Sequence, residues 1–334
     1  MTNRIAVTTL LSLALLLPAA QAEHAFLWTA AGGMQDLGTL GGNFSQARGI
    51  NASGAVVGYS ALADNVTYHA FLWTAAGGMQ DLGAPGGTSS VATAINSRGQ
   101  IAGYSVVTSG TTIVYHAILW TAGVPRFLGT LGGKSSDAEA LNDDGAVVGS
   151  AEIKNGHSHA MIWTLAGGMQ DLGTLGLDGG AAFGINKDAE VVGVSGTFRA
   201  HDLPFSWTAT GGMKNLIPHY VYIGGSASAI NRLGNIAGWV NAANNLTYPA
   251  LWTAGGIKQL PTLGGGDAVA SAINGKNQLA GFSYNTSQQF HAVIWDQTGA
   301  ITDLGTLGGA NSQAWGINNA GQVVGDSALL VDIN

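Results

Sequence analysis

Apolar side chains occupy both faces of the short segments that recur along this chain. In His69–Thr74 (HAFLWT), Phe71 and Trp73 point one way while Ala70 and Leu72 point the other. A strand that is apolar on both faces belongs to a sheet covered on both sides. Around it the pattern predicts three more strands and two tight turns. Gln46–Asn51 is a short strand, Ala52-Ser53-Gly54 a turn, and Ala55–Ser60 a second strand. A variable loop leads to the third strand, His69–Thr74. Ala75–Gly78 is the next turn, Met79–Gly83 the fourth strand, and a Gly-rich loop leads to Val91–Asn96, where the pattern starts again. Four strands joined by Asn/Gly turns read as one antiparallel meander.

The meander repeats. A Trp-(Thr/Asp) pair marks each copy at Trp28, Trp73, Trp120, Trp163, Trp207, Trp252 and Trp295. An (Ile/Leu)-Asn pair does so at Asn51, Asn96, Asn142, Asn186, Asn231, Asn274 and Asn318, with 43–47 residues between copies in both series. This period, with several strands per unit, predicts an all-β, seven-bladed β-propeller of four-stranded antiparallel blades in one domain, residues 23–334. Small residues in the first strand (Ala47/Gly49, Ala92/Ala94, Ala182/Gly184, Ala314/Gly316) suit an innermost strand where blades converge. The chain starts with strands three and four (His24–Leu40) and ends with strands one and two (Ala314–Ser327). Paired, these halves make one split blade that closes the ring and removes its edges. An open solenoid is the alternative, and it leaves two half-sheets unmatched.

Composition changes the picture at three points. Charged residues are 9 % and the net charge is −7, which gives no basic footprint for nucleic acid. There is no Cys, so disulfides, thiol chemistry and a lipoprotein anchor are excluded. Arg4, the apolar run Ala6–Leu17, Pro18 and Ala20-Gln21-Ala22 read as a signal peptide, residues 1–22, cleaved after Ala22. That run is short for a membrane span, and no second one follows. The expected protein is exported and monomeric, extracellular or periplasmic, with no membrane span after cleavage.

The motifs HAFLWT, GGMQDLGTLGG, INxxG and VVGYS resemble the HAF-repeat family of bacterial extracellular repeat proteins. His-Ala-Phe stands at His24–Phe26 and His69–Phe71 and becomes HAI at His116, HAM at His159 and HAV at His291. Leu203 and Tyr248 take the His position in the two remaining copies. The resemblance covers essentially the whole mature chain and implies an exported, β-propeller-like protein. It brings no catalytic residues with it.

Candidate chemistry is sparse. Equivalent His on neighbouring sheets, roughly 10 Å apart, cannot share a metal whose ligands lie about 2 Å from it. The expected role of these His is a hydrogen bond to the backbone of an adjacent loop. His157 and His159, two apart on a strand, are weak metal candidates that lack a third ligand. The repeated Asn are expected to bond their own backbone at the turns, and Asp36, Asp81, Asp171 and Asp303 to be solvated or turn-bonding. No nucleophile elbow, HExxH, P-loop or cofactor motif is present. Off-pattern acids (Asp64, Glu139, Glu152, Asp178, Asp202, Asp267) leave open a glycosidase-type pair.

Variation concentrates in the loops between strands two and three and in two rings beside them. The first ring reads Arg48, Thr93, Glu139, Phe183, Ser228, Ser271, Trp315. The second reads Tyr59, Tyr104, Ser150, Val194, Trp239, Phe282, Asp326. Trp239 and Trp315 stand outside the sevenfold Trp pattern. As exposed aromatics beside polar groups they suit a sugar or peptide. The expected ligand-binding residues are Trp239 and Trp315, then Arg48, Glu139 and Phe183. The expected function is a non-catalytic binding scaffold for a glycan, peptide or surface protein. A polysaccharide hydrolase or lyase and a structural matrix component are the alternatives.

Overall fold

The computed structural model describes residues 22–176, 178–196, 202–217, 221–244 and 246–330. The segment read as a signal peptide lies outside them except for Ala22, and so does part of the loop before Leu203. Every element is a β-strand, and no helix occurs among the described residues.

The described chain opens with β1 (Glu23–Thr29) and β2 (Gly33–Asp36). Then come β3 (Gly41–Ile50), β4 (Val56–Leu62), β5 (Tyr68–Thr74) and β6 (Gly78–Asp81). The next meander is β7 (Ser89–Ile95), β8 (Ile101–Ser109), β9 (Thr112–Thr121) and β10 (Val124–Phe127). It is followed by β11 (Gly132–Leu141), β12 (Val147–Ile153), β13 (Ser158–Thr164) and β14 (Gly168–Asp171). After these stand β15 (Gly179–Ile185), β16 (Val191–Gly196), β17 (Leu203–Thr208) and β18 (Gly212–Asn215). β19 (Tyr222–Ile230), β20 (Ile236–Ala242), β21 (Thr247–Thr253) and β22 (Gly256–Gln259) come next. The last elements are β23 (Gly264–Ile273), β24 (Leu279–Asn285), β25 (Phe290–Trp295), β26 (Ile301–Asp303), β27 (Gly308–Ile317) and β28 (Val323–Leu329).

Each consecutive four from β7 to β26 is a separate antiparallel sheet. β27, β28, β1 and β2 pair in that order, so strands from the two ends of the chain share one sheet. A single parallel pair, Glu23 with Phe44, links this sheet to β3–β6. The first strand of each meander lies against the first strand of the next: β3 on β7, β7 on β11, β11 on β15, β15 on β19, β19 on β23, β23 on β27, and β27 on β3. Gly and Ala make that approach possible. A Cβ on Gly49 would stand 3.1 Å from the Cα of Ala94, and one on Gly184 3.0 Å from that of Ala229.

Apolar burial is between sheets. Val57 and Ala70 of one meander pack with Ala92, Ile101, Ile118 and Trp120 of the next. Phe26 and Val323 pack in the same way with Ala280, Ala292 and Ile294. This explains strands that are apolar on both faces, and no single centre holds the core.

The repeated polar residues tie the sheets together. In the first turn, Oδ1 of Asn51 accepts from the backbone N–H of Ser53 and Ala55, the expected local bond. Its Nδ2 reaches further, to the carbonyl of Asn96 at 3.2 Å. Asn96 donates in turn to Asn142, Asn142 to Asn186, Asn231 to Asn274, Asn274 to Asn318, and Asn318 to Asn51. Asn186 donates to Glu190 Oε2. Six of the seven amides thus satisfy a turn and a neighbouring sheet at once.

The His expectation needs correction. Nδ1 of His24, His69, His159 and His291 lies 2.8–3.0 Å from the carboxylates of Asp36, Asp81, Asp171 and Asp303, not against a loop backbone. Each Asp also accepts from the N–H of the following Gly. Where Phe127 replaces the Asp, His116 meets its ring edge-on, centroids 5.9 Å apart. Where Leu203 and Tyr248 replace the His, Asn215 and Gln259 replace the Asp. In those two copies both members of the contact change together.

The first strand also begins earlier than the pattern implies. Gly41–Ser45 belongs to β3, with Gly41 opposite Leu62 and Ser45 opposite Ser60. Gly stands at position 42 of this strand because a Cβ there would strike the backbone of Leu62 and Ala61.

Candidate functional site

All seven first strands carry a β-bulge at the same place. The register breaks at Ala47/Gly49, Ala92/Ala94, Ala138/Ala140, Ala182/Gly184, Ala227/Ala229, Ala270/Ala272 and Ala314/Gly316. The unpaired residues are Arg48, Thr93, Glu139, Phe183, Ser228, Ser271 and Trp315, the first ring read from the sequence. A bulge re-aims the extra side chain. It also turns a carbonyl toward the second strand. A Cβ on Gly58, Gly103, Gly149, Gly193, Gly238, Gly281 or Gly325 would collide with that carbonyl, which accounts for the Gly of every VVG-type motif.

On one side of the ring the bulged residues and their neighbours converge. The Arg48 guanidinium lies over the Trp315 ring, 4.7 Å from its centroid. Its Nη1 donates to Gln46 Oε1 at 3.3 Å, and its Nη2 stands 4.0 Å from Glu139 Oε2, two sheets away. Trp315 Nε1 and Gln46 Nε2 both donate to Asp326 Oδ1, at 2.7 and 2.8 Å. Asp137 accepts from the hydroxyl and N–H of Ser150. Thr93 Oγ1 donates to the carbonyls of Ala102 and Ala138.

Burial sets the electrostatics. It raises the Asp326 carboxyl to about 7, with the Glu23 charge adding to the rise and hydrogen bonds from Trp315 and Gln46 opposing it. Burial also raises Asp137, against its Ser150 bonds, and raises Glu139, helped by Asp137 and opposed by Arg48. The phenols of Tyr59 and Tyr104 are pushed up by the same desolvation. One guanidinium therefore stands among carboxyls held toward their neutral form.

The candidate residues do not all share this cluster. Trp315, Arg48 and Glu139 come together. Phe183 is half-buried at the bulge of β15, on the side where Val194, Ser228 and Ser271 replace the charges. Trp239 departs from the expectation of an exposed aromatic: it is 6 % exposed, and its Nε1 has no hydrogen-bond partner among the described residues. Trp315 also differs from a free stacking platform, since Arg48 covers it. Asp137 was missed as a site residue; its position reads Gln46, Val91, Ala181, Ser226, Val269 and Gln313 elsewhere, so an acid there breaks the repeat.

Three of the other off-pattern acids accept backbone N–H groups. Asp64 accepts from Val66 and Thr67, Glu152 from Lys134 and Ser135, and Asp267 from Thr247. His157 and His159 have separate partners, the Asp178 carbonyl and the Asp171 carboxylate. Among the described residues no group of three His, Cys, Asp or Glu is placed to hold a metal, and no helix is long and apolar enough to cross a membrane.

The structure is similar to the putative TolB from Agrobacterium tumefaciens, with TM-score 0.51 and 10 % identity, covering 94 % of this chain and 100 % of that one. It is also similar to puromycin hydrolase, with TM-score 0.53 and 15 % identity over 86 % of this chain and 47 % of the hydrolase. The chain thus spans about half the hydrolase's length. At these identities the likeness defines the fold alone, a β-propeller. No family model and no curated protein matches the sequence.

Proposed function

We propose that the chain is an exported, seven-bladed propeller, closed by the sheet that β27 and β28 share with β1 and β2, and that it works as a binding module. The cycle of contacts between first strands and the Asn bonds across sheets support closure. Export rests on the charged and apolar pattern of residues 1–22. The observation that carries the binding reading is the bulge ring. One backbone feature recurs in every blade, and the side chain it presents changes from blade to blade. A fold that needed only packing there would repeat the residue as it repeats the Trp and Asn.

The ligand is a glycan, a peptide or a surface protein, held where Arg48, Glu139 and Trp315 meet. A second reading, hydrolysis of a polysaccharide, draws support from Asp137 and Glu139, two half-buried carboxyls, one at the bulge of β11 and one two residues before it. An array of immobilised glycans, peptides and extracellular polysaccharides tests the first. The wild type is expected to be retained on one class, the Arg48→Ala/Glu139→Ala double variant to be lost from it, and His159→Ala to behave as wild type. Equal retention of the double variant rules out the ring as the binding site, and release of reducing ends from a retained polysaccharide shifts the assignment to the hydrolase.

A further inference from the structure

The groups at the centre of the ring are short of partners. Arg48 is 14 % exposed by side chain, yet among the described residues only one of its five N–H donors makes a hydrogen bond, a long one to Gln46. Glu139 is 11 % exposed, and among the described residues its carboxyl takes part in no hydrogen bond. The 4.0 Å between Nη2 and Oε2 is too long for a direct one. A half-buried charge and a half-buried carboxyl in this state gain from a group that satisfies both.

From this gap we infer that the ring takes an uncharged saccharide end, with one sugar hydroxyl bridging Arg48 and Glu139. The inference rests on the ring being the binding site. A hydroxyl accepts and donates through a single oxygen. An oxygen about 2.8 Å from each partner spans the observed 4.0 Å with an angle of about 90°. A trans peptide group directs its N–H and C=O to opposite edges and cannot make the same bridge. Charge argues the same way. Wherever the acids ionise, a carboxylate or phosphate ligand faces Asp137, Glu139 and Asp326, and an amine faces Arg48 at any pH. A neutral hydroxyl serves Glu139 in either protonation state and meets neither penalty. Trp315 takes part as the prop that fixes the guanidinium, through its ring and through its bond to Asp326.

The test uses full-length mature protein labelled with 5-fluorotryptophan, in which the fluorine line missing from Trp315→Phe reports the ring. The probes are the methyl glycosides of glucose, galactose and mannose, methyl glucuronide, and glycylglutamine. At least one neutral glycoside is expected to move the Trp315 line saturably. Arg48→Met and Glu139→Leu should each weaken it about tenfold, the effect of losing one charge-assisted hydrogen bond. If either variant loses the dispersed spectrum of the folded chain, Glu139→Gln takes its place, with a loss of about threefold expected for the weaker neutral acceptor. Movement with glucuronide or the dipeptide alone overturns the saccharide assignment and leaves the ring as a binding site. A glycoside that binds by saturation transfer without moving the Trp315 line overturns the location. No response to any probe overturns the inference.

Discussion

The His–Asp contact between strands three and four and the bulge on strand one treat the repeat in opposite ways. Four copies of the first keep both residues, two change both, and one keeps His116 against Phe127. The bulge keeps its backbone in all seven copies and presents Arg, Thr, Glu, Phe, Ser, Ser and Trp. Packing explains a residue that recurs and a pair that changes together. It does not explain a position whose geometry is fixed while its chemistry drifts. The first is how the fold is held, and the second is where we propose the fold is used.

The largest expected effect breaks the shared sheet. Removing residues 308–334 takes β27 and β28 from β1 and uncovers Phe26 and the faces of β23–β26. Insoluble product or loss of the cooperative melt is expected. A truncated chain that melts like the whole one would favour an open array, in which a terminal unit is dispensable. Next comes the bulge. Gly103→Ala puts a methyl into the Val91 carbonyl and should cost about 3 kcal/mol or more. Gly99→Ala, at φ +74° with open space around it, should cost only about 1 kcal/mol. Equal midpoint shifts in urea unfolding would mean that the bulge is free to relax.

The strands and the period were legible because every copy shows them. Trp73 and Phe71 mark a doubly buried strand without any knowledge of their neighbours. The bulge was not legible. Nothing local in QARGIN distinguishes a paired Arg48 from an extra one, and the cue was indirect, a Gly at the same place in each second strand. The His partner was readable within the chain, since Asn215 and Gln259 fall in the two copies that replace the His. Trp239 was misjudged because an off-pattern aromatic looks the same in sequence whether it lines a mouth or fills a gap.

Acids in the ring give the next test. The folded Asp326 pKa, about 7, lies above its ordinary 3.8. Between those values the folded chain keeps a proton that the unfolded chain releases, so stability falls as pH rises. The contribution is whole below about pH 4 and gone above about pH 7, and Glu139 and Asp137 act in the same direction. Asp326→Asn keeps an acceptor for Trp315 and Gln46 but cannot ionise. It should flatten the decline between about pH 4 and 7 and gain on the order of 2 kcal/mol at pH 8. A variant with the wild-type slope would place the titrating proton elsewhere.

The smallest effect bears most directly on the comparison. Phe183 stands at the bulge of β15, and the corresponding positions of β19 and β23 carry Ser228 and Ser271. The chain itself therefore shows that serine is compatible with this backbone. Phe183 is half-buried, unlike Trp120, which is 1 % exposed. Phe183→Ser should cost about 1 kcal/mol or less, whereas Trp120→Ala should cost about 3–5 kcal/mol. If Phe183→Ser unfolds at nearly the same denaturant concentration as wild type, the side chain at the bulge is free of folding duty. A loss as large as that of Trp120→Ala would make the aromatic part of the core. The drift of residues around the ring would then reflect blade-by-blade packing, and the contrast between the two layers would lose its functional meaning.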